Sequence, residues 1–147
     1  GLRDFREPIV YGKGEMLYEE EGIALLAVGS MVSTAEHIRQ KLKAEGYRCS
    51  LANGRFVKPF DRKMVSRLAK NHRLIVTMEE NVLQGGYGLA VTAYIHEHFP
   101  HIKVLNVALP DAYVEHGNVS ILREGLGIDS DSIIRTMKAG GYIGKKD

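Results

Sequence analysis

"IALLAVG", residues 23–29, is apolar at every position before its closing glycine. A strand with polar residues at alternate positions can leave one face in water, but a strand without them has to be covered on both. This run therefore asks for a sheet with helices on either side. The next segment, "SMVSTAEHIRQKLKAEG", supplies the first of them. Ser33 stands three residues before Glu36, the spacing of a capping box; Ala35, Ile38 and Leu42 recur at helical intervals, and Gly46 provides a stop. "YRCSLANGRF" reads as a weaker strand. "KPFDRKMVSRLAKNH" starts a second helix with Asp61 as its cap and Met64, Val65 and Leu68 as its buried stripe.

The alternation continues. "RLIVTM" is a strand, "GGYGLAVTAYIHEHF" a helix in spite of its glycines, and "IKVLNVAL" the last of the long strands. "DSDSIIRTMKAGG" gives a closing helix, capped by Asp129 or Ser130 and stopped by Gly140 and Gly141. The glycine-punctuated "GKGEMLYEEEG" places a short strand at an edge, where it can run antiparallel. The pattern predicts a single domain over residues 1–147: a three-layer α/β/α sandwich with a mostly parallel sheet of about five strands.

Bulk properties exclude several classes. The longest apolar stretches are too short to span a bilayer, so no membrane partner is expected. The single Cys49 cannot close an internal disulfide, which suits a cytoplasmic location. Arg39 to Arg73 carries eleven Lys or Arg residues against Glu45 and Asp61. Without aromatic interleaving or a recognition-helix motif, this reads as a basic surface and no nucleic-acid partner is expected. The chain begins at Gly1 and not at Met, as expected for a piece of something longer.

Parallel strands bring "SMVS", "NGRFVKP", "EENVLQGG" and "PDAYVEHG" to one edge of the sheet, where sites gather in such folds. Arg55, Glu79, Glu80, Asn81, Asp111 and His116 thus become one candidate neighbourhood. Glu79 and Glu80 are adjacent, point to opposite sides of an extended backbone, and cannot flank one bond as an acid–base pair. Glu80 beside Asn81 is expected to lock the loop and present it to a partner. Gly85 and Gly86 are expected to let the following helix enter tightly against the sheet. Asp111 and His116 suit loop-locking hydrogen bonds or a tuned proton carrier, and Arg55 suits an internal pair with an acidic loop. The six histidines lack metal-ligand spacing, Ser30 and Ser33 lack a nucleophile elbow, and "GGYG" is not a phosphate motif. No catalytic, cofactor-binding or metal-binding residue is assigned.

Taken together, "YGKGEMLYEEEGIALLAVGSMV", "NGRFVKPFD", "VTMEENVLQGGYGLAV", "LPDAYVEHG" and "GLGIDSDSI" resemble the C-terminal domain of the 1-deoxy-D-xylulose-5-phosphate synthases, which are transketolase-like enzymes. The resemblance runs from about Gly12 to Met137. It implies a homodimeric three-domain parent that uses thiamine diphosphate and magnesium to condense pyruvate with glyceraldehyde 3-phosphate, releasing carbon dioxide. The product of such enzymes feeds isoprenoid, thiamine and pyridoxal phosphate synthesis. The motifs for cofactor and metal belong to the N-terminal and middle domains of that family and are absent here. The resemblance therefore implies an isolated domain that is inactive, with Arg55, Glu79, Glu80, Asn81, Asp111 and His116 as interface or channel-rim residues. Two rivals remain: a free-standing subunit of a two-component transketolase-like enzyme, and a small α/β module binding an anionic metabolite.

Overall fold

A computed structural model describes residues 10–55, 60–80, 86–108, 114–116, 119–121 and 130–144, with 114–116 and 119–121 given by their backbone alone. Seven strands form one sheet: β1 (Glu15–Tyr18), β2 (Gly22–Ala27), β3 (Cys49–Asn53), β4 (His72–Glu79), β5 (Lys103–Ala108), β6 (Val114–His116) and β7 (Val119–Ile121). Their spatial order is β1-β3-β2-β4-β5-β7-β6. The central run β3-β2-β4-β5 is parallel, β7 continues it parallel to β5, and β1 and β6 close the two sides antiparallel. The five expected strands are all present, with β1 antiparallel at its edge. The two short additional strands come from a segment whose sequence reads as loop.

Four helices cover the sheet: α1 (Met31–Ala44), α2 (Arg62–Asn71), α3 (Tyr87–His98) and α4 (Ser130–Ala139). The pleat decides which side chain meets which helix. Ile23, Leu25 and Ala27 of β2, with Leu74, Val76 and Met78 of β4, face α1 and α4. Ala24 and Leu26 of β2, with Ile75 of β4, face α2 and α3. All six residues of β2 are buried, which is why its sequence has no polar alternation. These are the three layers of the expected sandwich.

Helix boundaries follow local chemistry, with one correction. Asp61 caps α2, its Oδ1 accepting the Met64 N–H at 3.0 Å. Ser33 does not cap α1. Gly29, at φ 63°, turns the chain straight off β2, so the helix begins at Met31 with Ser30 before it and no side-chain cap. Ser33 then lies inside the first turn, and Glu36 is buried instead of closing a capping box. The N-cap of α4 lies outside the described residues.

Candidate functional site

The strand order reverses at β2 and β4: α1 leaves the carboxyl end of β2 for one face of the sheet, and α3 leaves β4 for the other. Ligand and partner sites of open α/β sheets gather at such a point. Past the end of β2, the Val28 N–H donates to the Met78 carbonyl at 3.0 Å and holds the two strands together.

Glu79 and Glu80 separate as the pleat requires. Glu79 is buried, and its carboxylate lies at the N-terminus of α3, accepting the Tyr87 N–H at 3.0 Å and the Gly88 N–H at 2.6 Å. It neutralises the positive end of that helix and satisfies two N–H groups that have no intrahelical acceptor. Glu80 is exposed and accepts a hydrogen bond from the Ser30 hydroxyl, joining the start of α1 to the end of β4. The carboxylate that locks the helix entry is thus Glu79, and Glu80 is the one presented to solvent.

Close packing of α3 on the sheet depends on Gly88 and not on Gly86. A Cβ at Gly88 would come within 2.6 Å of Thr77 Oγ1 and 2.7 Å of Asn106 Oδ1, whereas at Gly86 it would meet nothing; Gly86 supplies a positive φ of 60° instead. Gly85 is outside the described residues. Around Gly88 the polar groups close a chain. The Thr77 hydroxyl donates to Asn106 Oδ1, Asn106 Nδ2 to Thr92 Oγ1 at 2.8 Å, and the Thr92 hydroxyl to the Gly88 carbonyl at 2.7 Å.

Arg55 pairs inside the chain, but with a strand and not with an acidic loop. Its Nη2 donates to Glu15 Oε1 of β1 at 2.7 Å, and the Glu15 side chain has no exposed surface. Arg55 adopts φ 60°, and its N–H donates to the Asn53 side-chain oxygen at 2.9 Å. Nearby, Asp61 Oδ2 accepts the Gly14 N–H at 3.0 Å and ties the start of β1 to α2. Tyr87 is fully buried with its ring edge-on to Phe60; its hydroxyl has no hydrogen-bond partner among the described residues, and burial pushes its ionisation far up.

His116 does not join this group. It lies on β6 in register with Val119, which pairs with Asn106, which pairs with Thr77. That places it three strands from β4, on the order of 14 Å away, and two residues back from Glu79. Asn81 and Asp111 lie outside the described residues.

The opposite edge holds a network that sequence reasoning missed. His72 is buried; its Nδ1 lies 2.7 Å from the Leu68 carbonyl and its Nε2 2.8 Å from Ser50 Oγ, which accepts the Glu20 N–H at 2.6 Å. A neutral ring donating from Nδ1 and accepting from the Ser50 hydroxyl satisfies all three contacts. Burial pushes the His72 pKa down, consistent with that form. Glu20 accepts from the Cys49 N–H at 2.9 Å, Arg39 at 2.9 Å and Lys43 at 2.6 Å. Burial works to raise its pKa, but Lys43, the Cys49 N–H and Arg39 together hold it below the usual carboxylate value. The available signal was a histidine two positions before the apolar run that starts at Leu74, on the same side of an extended strand, where a buried ring needs partners.

The carboxyl edge can therefore brace a loop and meet a protein surface, and the N-terminus of α3 does not fit an anionic diphosphate, because Glu79 already occupies it. Among the described residues no three His, Cys, Asp or Glu side chains come together as metal ligands, and no helix is long and apolar enough to cross a membrane.

A three-layer α/β/α sandwich with an antiparallel strand at each side of its sheet defines the class of domain, and comparison with known proteins gives its family. The chain belongs to the transketolase C-terminal domain family, whose model matches residues 12–133. It is 47% identical over 135 residues to a 1-deoxy-D-xylulose-5-phosphate synthase of Lachnoclostridium phytofermentans, covering 91% of this chain and 22% of that protein. It is 39% identical to the synthase of Heliobacterium modesticaldum, covering 86% of this chain and 20% of that one. The chain thus spans about a fifth of the length of these relatives. Among solved structures, a split-gene transketolase described as an inactive β4 tetramer matches 73% of this chain and 35% of its own, with 30% identity and a TM-score of 0.65. A 2-oxoglutarate:ferredoxin oxidoreductase from Magnetococcus marinus, 15% identical with a TM-score of 0.60, shares the fold.

Proposed function

We propose that this chain is the C-terminal domain of a cytoplasmic 1-deoxy-D-xylulose-5-phosphate synthase, and that it serves interdomain and dimer packing. The reaction of the parent would be condensation of pyruvate with glyceraldehyde 3-phosphate with loss of carbon dioxide. Thiamine diphosphate would supply the carbanion chemistry from the other domains, with magnesium holding its diphosphate. One observation carries this reading: the likeness to the synthases covers nearly all of this chain and only a fifth of them. The residues assigned to the packing surface are Arg55, Glu79 and Glu80 at or beside the carboxyl edge, His116 on the lateral strand, and Asn81 and Asp111, which lie outside the described residues.

Calorimetry of the pure chain with thiamine diphosphate and magnesium, beside a coupled product assay, tests it. The expected result is no heat of cofactor binding and no turnover, with both present in the full-length parent. Micromolar cofactor affinity or steady turnover by the isolated chain would contradict it. The match to the split-gene transketolase supports a second reading, in which the chain is a separate subunit. The genomic reading frame separates the two: several hundred upstream codons for the other domains fit the first, and a start codon just before Gly1 fits the second.

A further inference from the structure

The sequence of α2, "RKMVSRLAKN", contains no acidic residue. Met64, Val65, Leu68 and Ala69 form its buried stripe, which leaves Arg62, Lys63, Arg67 and Lys70 exposed on the other side. This arrangement works against the helix itself. Arg62 and Lys63 occupy the first turn, where the macrodipole is positive and favours carboxylates. Lys63 and Arg67 are four residues apart and Arg67 and Lys70 three apart, so like charges face each other along the surface.

The chain relieves this only in part. Glu19 takes the Arg67 guanidinium, with Nε at 2.8 Å, and Arg62 lies over the rings of Phe60 and Tyr94 at 5.8 and 5.9 Å. Lys63 and Lys70 have no ion-pair partner among the described residues. A cleft of about 460 Å³ runs along the ridge beside Tyr94, and another of about 450 Å³, lined by Arg48, Lys70 and Arg73 with Glu21, opens at its far end.

We propose that this ridge docks an acidic surface on another domain of the parent protein. The inference rests on the packing reading above and adds a second face to it, distinct from the carboxyl edge. Charge complementarity specifies the partner: a surface with carboxylates spaced along about 15 Å, the length of a ten-residue helix. A nucleic acid fits less well. Tyr94, the aromatic beside the ridge, is held by a 2.8 Å hydrogen bond to Ser66 and is tilted against His98, so it offers no stacking platform.

The test is Lys63→Glu/Lys70→Glu, made in this chain alone and in the full-length parent. Lys63→Glu places a carboxylate in the first turn, where the dipole favours it, and Lys70→Glu places one in the last, where it does not; the two offset, and both carboxylates come within reach of Arg67, so the isolated variant should melt within about 1 °C of wild type. In the parent, at about 20 mM salt, the unfolding of this domain should fall by about 3 °C or more, and about 0.5 M salt should remove most of the difference. Three results would overturn the proposal: an unchanged parent at both salts, an isolated chain destabilised as much as the parent, or salt-sensitive binding of a short DNA duplex that the variant loses. The packing reading fails separately, if this domain of the wild-type parent melts as it does alone.

Discussion

Glu20 and Glu79 are both carboxylates that accept backbone N–H groups, and they sit at opposite edges of one sheet. At the amino edge, Glu20 is surrounded by Lys43, Arg39 and the Cys49 N–H, and beside it the Ser50 hydroxyl links the Glu20 N–H to His72. At the carboxyl edge, Glu79 caps α3, but the neighbouring Tyr87 hydroxyl lacks a partner among the described residues. Among the described residues, the large exposed apolar side chains differ in the same way. Val10 and Tyr11 precede β1, whose first residue pairs with the last of β3, and Leu89 is in the first turn of α3. All three belong to the carboxyl edge. Of the two edges, the amino one is finished within the chain and the carboxyl one is left ready for contact, the difference expected if the carboxyl edge is the one that meets a neighbour.

The largest effect should come from Arg55→Ala. It takes the Arg55 guanidinium away from Glu15, whose side chain is wholly buried, and removing one partner of such a pair costs about 3 kcal/mol. Urea unfolding would read it as a lower midpoint, and Glu15→Met/Arg55→Met should be milder than the single change. If the single change is neutral, the carboxyl edge is not braced as described. Glu79→Ala comes next, at about 2–3 kcal/mol, because two buried N–H groups lose a charged acceptor. Faster amide exchange at Tyr87 and Gly88 would locate that loss.

The amino edge responds to pH. The His72 pKa is lowered in the fold, so the unfolded chain binds the proton first as pH drops. Stability from this residue is complete above about 6.5, the ordinary histidine value, and is lost as pH falls towards the lower folded value. Glu20, also lowered, adds a second loss below about 4.5 as pH falls. His72→Phe should flatten the upper window and leave the lower one; a slope unchanged between pH 5 and 6.5 would remove His72 from the account. The smallest effect is expected for Glu80→Gln. The side chain is exposed, so the isolated chain should lose less than about 0.5 kcal/mol. A thousandfold drop in turnover of an intact parent carrying it would instead place Glu80 in the reaction.

The layers were legible because β2 and β4 carry their burial in composition, and α2 because Asp61 and its apolar stripe agree. The start of α1 was not, since a capping-box spacing at Ser33 competes with a turn that only the positive φ of Gly29 reveals. The pleat told that Glu79 and Glu80 diverge, but not which one α3 would cover. Gly88 could not be chosen over Gly86 without the positions of Thr77 and Asn106. The partner of Arg55 is forty residues away on an antiparallel edge strand, a pairing that depends on register. His116 read as part of a loop because three-residue strands have too little pattern to recognise.

Hydrogen exchange on this chain alone and within the full-length parent tests the central claim most directly. If the carboxyl edge is the packing surface, residues 10–14 and 86–90 should gain protection in the parent, while 44–47, at the amino edge between α1 and β3 and away from the α2 ridge, exchange alike in both. Protection gained at the amino edge, with the carboxyl edge unchanged, would contradict the account.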